Sequence, residues 1–281
     1  MKRRVLPLFI VAAGAVAAVL VLELLLRAAG FSAPWWLLLF VVVAVLLFLL
    51  LRPDPLRLAR SMGGDRLTSR SASPTPKADM RAALGAVLET RDARLGITAT
   101  AAGNVVMVGV MAMTPVHILG AGHGATGTLR IVGIVLSVHV AGMFAFAPVT
   151  GWLSDRFGKR RVIVGGVVLL LAACAVAGTA GHDTTRLALG LMLLGLGWSG
   201  TMVAGSALLS ESMSAELRPS AQGLSDLLMG LSGASAVALS GVVVQAFGYP
   251  MLTLLAAVMT APLAALIASD RFARLRRAVR A

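Results

Sequence analysis

The chain has 281 residues, 58% of them hydrophobic and 13% charged, and carries a formal net charge of +13. That balance leaves too little polar surface to cover a soluble core, and several apolar runs of about 18 or more residues place the chain in the membrane class, with the lipid bilayer as its first partner. A nucleic-acid partner is not expected, because the basic residues lie between apolar runs instead of on an aromatic-rich face, and there is one tyrosine.

Two apolar runs open the chain, near Leu6–Leu26 and Pro34–Leu51. Met1-Lys2-Arg3-Arg4 has the charge of a secretory signal, with Arg27-Ala28-Ala29-Gly30 near a cleavage point. The run to Leu26 outlasts the roughly 7–15 residues of a signal core, however, so a retained helix is expected. Residues 52–94 form the one long polar stretch, and Ser69–Pro76 has linker composition. Within it, Asp79–Arg94 is predicted as a surface helix with Met80, Leu84, Val87 and Leu88 on one side. The whole stretch is expected to be a basic linker lying on anionic lipid.

Six further spans are predicted near Leu95–Val116, Ile131–Thr150, Val162–Gly178, Leu187–Leu209, Ser220–Phe247 and Met251–Ala268. At about 1.5 Å per residue, each can cross a hydrocarbon core of roughly 30 Å, the shortest with help from its flanks. The fold class is therefore all-α integral membrane with about eight spans. Two helices occupy residues 1–51, the basic linker 52–94, six helices 95–270 and a basic tail 271–281. With the N-terminus in the cytoplasm, 22 of the 25 lysines and arginines fall on cytoplasmic segments, and only Arg27, Arg130 and Arg186 fall outside. That asymmetry predicts a multi-pass protein of the cell membrane with both termini cytoplasmic. The single cysteine, Cys174, sits in an apolar run, which leaves no disulfide framework or cysteine zinc site and suits a packing residue.

The densest signal is Gly151-Trp152-Leu153-Ser154-Asp155-Arg156-Phe157-Gly158-Lys159-Arg160-Arg161. An acid, a turn glycine and four bases separate two uncharged runs, so the chain must reverse there at the cytoplasmic face. The pattern G-x-L-x-D-R-x-G-K-R-R resembles the loop signature of the major facilitator superfamily of transporters. In that family two six-helix halves flank a substrate site, and the signature follows the second helix of a half. The resemblance implies that Leu95–Ala268 is a C-terminal half, and that the first two helices are the last two of an N-terminal half. Arg52-Pro53-Asp54-Pro55-Leu56 then fits the start of the central loop. Four helices needed for a central cavity are missing on this reading, so a partial chain is expected, one that needs those helices or a second chain. The run G-x-x-x-G-P-x-x-G-G of proton-coupled drug exporters is absent, since the first helix holds only Gly14.

The resemblance assigns a cytoplasmic latch to Gly151, Asp155, Arg156, Gly158, Lys159, Arg160, Glu211 and Arg218. Gly151 is expected to allow close backbone approach and Gly158 to allow the turn. Asp226, about seven residues into its helix, is a costly charge at that depth, and is expected either in an ion pair or in proton coupling. Met107 and Met111 are four apart, as are His139 and Met143, so each pair shares a helix face. Thioether and imidazole suit Cu(I), and the arrangement resembles the copper-importing branch of the superfamily. Packing is the alternative reading for the methionines. His117, His123 and His182 are expected in solvent at helix ends. Small residues from Gly195 to Ser240 are expected to pack helices closely. The reading is thus a secondary transporter of a small molecule or ion, with no cofactor. A membrane interaction protein is the second class. An enzyme is not expected, because neither H-E-x-x-H nor a nucleophile elbow occurs.

Overall fold

The computed structural model describes residues 76–122 and 124–269, which all belong to one compact unit, residues 74–281. The two predicted N-terminal spans, the first part of the linker, His123 and the basic tail lie outside the described residues. Seven helices are named: α1 Pro76–Glu89, α2 Arg91–Leu119, α3 Gly124–Phe144, α4 Ala147–Phe157, α5 Lys159–Gly178, α6 Thr184–Ser212 and α7 Arg218–Val258, after which residues 261–269 are also helical. Five stretches are long and apolar enough to cross a membrane, Arg91–Leu119, Thr126–Phe157, Lys159–Gly178, Thr184–Ser212 and Arg218–Ser269.

The last stretch is two passes. Gly248, at φ 81° and ψ 172°, breaks α7, and Pro250 follows it. Before the break α7 runs alongside α2 in the same direction: Thr100 meets Ser225, and Asn104 meets the Met229 carbonyl. After it, Tyr249 bonds Thr114 near the far end of α2, while Leu263 clusters with Leu95 and Ile163 back at the starting end. The reversal predicted between Phe247 and Met251 is therefore real, and glycine is required because other residues rarely adopt that positive φ.

The predicted helix Ile131–Thr150 is corrected. It starts earlier, at Gly124, and breaks at Ala145-Phe146, with α4 carrying the span on to Phe157. Pro148 explains the break, since its ring displaces the carbonyl four residues back and it has no N–H to donate. The signature is consequently helical almost throughout: Gly151–Phe157 belongs to α4, and α5 opens at Lys159, not at Val162.

The inner face of α1 also differs from expectation. Ala83 and Val87 are buried with Met80 beside them, against Ala93, Ala221 and Leu224, whereas Leu84 and Leu88 are 44% and 58% exposed. Met80 and Val87 thus lie inward as expected, while Ala83 takes the inward place expected of Leu84 and Leu88.

Helix α6 is the axis of the bundle, seated by small residues on three sides. A Cβ at Gly205 would lie 2.9 Å from the Gly96 carbonyl of α2 and one at Gly197 2.8 Å from the Leu170 backbone of α5, while one at Gly195 would collide with the His139 carbonyl of α3. Backbones this close exclude any side chain at these positions, which bears out the small-residue reading for Gly195, Gly197 and Gly205. Cys174, on α5, is buried in the apolar core cluster with Val106, Leu191 and Tyr249.

Candidate functional site at the basic helix ends

One residue, Gly158, connects α4 to α5. Its φ of 90° and ψ of 140° lie where side chains are strained, and its N–H bonds the Ser154 carbonyl to close α4. The turn delivers three consecutive bases at steps of about 100° around the first turn of α5. Lys159 Nζ lies 2.8 Å from Glu211 Oε1 on the last turn of α6. Arg160 Nη2 pairs with Asp92 Oδ1 in the first turn of α2. Three helix ends are thereby tied by two ion pairs. Both bases lie at an N-terminus, the end where the helix dipole disfavours positive charge, so the acids offset a local penalty as well as making a bond.

The other signature residues point outward. Asp155 is exposed and makes no ion pair or hydrogen bond among the described residues. The Arg156 guanidinium lies 5.6 Å from the centre of the Trp152 ring, which in turn meets Phe157 edge-on. Around Gly151, nothing among the described residues comes within 4 Å of a Cβ placed there, so the close approach expected of it is not found within this unit. Arg218 Nε donates to the Met213 carbonyl at 3.1 Å and closes the loop between α6 and α7.

Asp226 is exposed and accepts a long 3.5 Å hydrogen bond from Gln222 one turn earlier. Among the described residues it has no ion pair. Its neighbour Ser225 is buried and faces Thr100.

Met107, Met111 and Met143 belong to, or pack against, one apolar core cluster. His139 is fully buried, and its Nδ1 lies 2.8 Å from the Leu191 carbonyl. A carbonyl only accepts, so Nδ1 carries the proton. Nε2 is then left as an acceptor with no partner among the described residues. Among the described residues there is no group of three or more histidine, cysteine or acidic side chains that could hold a metal. At the opposite end of the bundle, His117 is not simply solvated. Its ring stacks on Tyr249 at 4.4 Å and on His182 at 6.0 Å, and its Nε2 donates to the Gly181 carbonyl at 2.7 Å.

The sequence reading missed Asp92 and Trp152. Asp92 had a signal, being an acid in the first turn of a helix, where it complements the dipole. Its partner, 68 residues away, had none.

Long apolar helices crossing in both directions, with ion pairs binding their ends, define a multi-pass membrane protein. The chain belongs to the major facilitator superfamily, whose family model, Major Facilitator Superfamily, matches residues 124–276. It is 35% identical over 218 residues to the uncharacterised MFS-type transporter YddS of Bacillus subtilis (strain 168), covering 75% of this chain and 47% of that one. The uncharacterised MFS-type transporter YdeG of the same organism gives 35% over 213 residues, again 75% and 47%. The riboflavin transporter RfnT of Brucella anthropi is 30% identical over 146 residues, 52% of this chain and 35% of that protein. The chain thus spans about half the length of the two Bacillus relatives that it matches.

Proposed function

We propose that this chain serves secondary transport of a small organic solute by alternating access, as the larger part of a transporter that also needs the four further helices implied by its family. The observation that carries this reading is the pair of ion pairs Lys159–Glu211 and Arg160–Asp92, which join the ends of α2, α5 and α6 around the signature turn. Such bonds are exchangeable. An exposed Asp155 and an Arg156 whose one contact of this kind among the described residues is the Trp152 ring can take new partners when the halves rock. The latch therefore comprises Gly151, Asp155, Arg156, Gly158, Lys159, Arg160, Glu211 and Arg218, at the cytoplasmic face where the base asymmetry puts it. Asp226, exposed without an ion pair among the described residues, serves either an ion pair with the further helices or proton coupling. The relative named as a riboflavin transporter makes riboflavin the first solute to try.

The test uses the chain completed with the first helices of YddS. Asp155→Asn should lower solute flux about tenfold or more without lowering the amount in the membrane, because the topology-setting bases remain. A cysteine at Gly122, in a Cys174→Ala background, should label from outside. Unchanged flux reduces the signature to a topological signal.

A second reading, Cu(I) transport through Met107, Met111, His139 and Met143, is favoured by one observation. The Nδ1–H to Leu191 bond leaves Nε2 of His139 as a free lone pair, the arrangement in which metal-binding histidines are held. In the completed protein, His139→Ala with Met143→Ala should then abolish copper accumulation and spare zinc and manganese. Copper accumulation equal to the parent's makes these side chains packing.

A further inference from the structure

The three bases after Gly158 have different fates. Lys159 and Arg160 are spent on Glu211 and Asp92, while Arg161 is exposed and makes no ion pair or hydrogen bond among the described residues. Arg161 stands at one end of a groove of about 410 Å³ between α4, α5 and α6. That volume is within the roughly 300–1,000 Å³ of small-molecule sites.

Val149, Leu153 and Phe157 form one wall, Leu169 the other, and Leu196 the floor. The glycine pair on α5 explains why the groove exists. Gly166 faces α6, where a Cβ would sit 3.0 Å from the Gly197 carbonyl, and so seats the two helices. Gly165, one step round, borders the groove, and a Cβ there would meet nothing within 4 Å. From Arg161 to Leu169 the groove follows α5 for about 12 Å into the apolar part of the span.

We propose that this groove is a binding site for one anionic phospholipid, an acyl chain lying along Gly165 and Leu169 with the phosphate on Arg161. The lining dictates this occupant. An apolar trough on a helix that crosses a bilayer has to be filled by something apolar, and its one charged residue is a cation at the end where the span leaves the hydrocarbon. A basic side chain over an interhelical crevice is how membrane proteins select anionic headgroups. The inference is independent of the solute and of the latch.

The test reconstitutes the full chain in phosphatidylcholine vesicles containing spin-labelled phosphatidylglycerol or spin-labelled phosphatidylcholine, and measures the motionally restricted lipid by electron paramagnetic resonance. Phosphatidylglycerol should be preferred about fivefold, the scale of one arginine near anionic lipid. Arg161→Gln should remove the preference and Arg161→Lys keep most of it. Gly165→Leu fills the groove without touching the packing, so it should remove about one restricted lipid per chain of either kind. Gly133→Leu, at another exposed glycine with open space beside it, should remove none. Thermal unfolding of each variant separates lost lipid from lost fold. A preference that survives Arg161→Gln, or a lipid count unmoved by Gly165→Leu in folded protein, overturns the proposal, the second result meaning that a protein segment fills the groove.

Discussion

The two ends of this bundle are held together by opposite kinds of chemistry. At the basic end, α2, α5 and α6 are joined by ion pairs, one of them between a Lys159 side chain 16% exposed and a Glu211 side chain 64% exposed. At the other end, α2, the α5–α6 loop and the reversal in α7 are joined by stacked rings and neutral hydrogen bonds: His117 on Tyr249 and His182, and Tyr249 on Thr114 at 2.9 Å. Ion pairs in partial contact with water exchange partners readily and contribute little net stability. Stacked rings and buried hydroxyls depend on geometry and do not exchange. Motion that rearranges contacts is therefore easier at the basic end, which is where the signature lies.

Three substitutions sharpen that contrast. The largest effect is expected from Gly158→Ala. A Cβ at φ 90° and ψ 140° is strained by about 1–3 kcal/mol, and the strain falls on the turn that presents Lys159 and Arg160. Thermal unfolding should show a clear drop in midpoint; an unchanged midpoint means that the turn relaxes freely.

Tyr249→Phe comes next. Thr114 Oγ1 already donates to the Val110 carbonyl, so Tyr249 is the donor in their bond, and its loss leaves no unsatisfied proton. The expected cost is about 0.5–1.5 kcal/mol, insensitive to salt. A cost that shrinks in high salt would contradict the neutral character assigned to this end.

Glu211→Gln should have the smallest effect on stability, about 0.2–1 kcal/mol, and what there is should fade as salt rises. A large, salt-independent loss would mean that the basic end is as rigid as its opposite, and the comparison would fail.

Some of this was legible in the chain. The apolar periods located each described pass to within several residues, and Gly158 announced its own turn, because both depend on residues close in sequence. The break at Ala145-Phe146 was also legible, in Pro148, although the span was expected to be continuous. The side of α1 that faces inward was legible in part: Met80 and Val87 turn inward as expected, but Leu84 and Leu88 do not, because the buried stripe is the one that meets Ala93, Leu209 and Ala221 from other helices. His117 gave no sign of its ring partners, one of which, Tyr249, arrives from 132 residues further along the chain.

The sequence by itself determined that this is a helical membrane protein of the transporter family, where most of its described helices lie and where its charges gather. These follow from hydrophobic period, length and the placement of bases, all of which are local or additive along the chain. Only the tertiary structure decided what each charge does. Lys159, Arg160 and Arg161 are neighbours of like charge that sequence cannot tell apart. Which of them meets Glu211, which meets Asp92 and which is left beside an apolar groove depends on the directions α2, α4 and α6 take around α5, and those were set by glycines whose missing side chains let the helices touch.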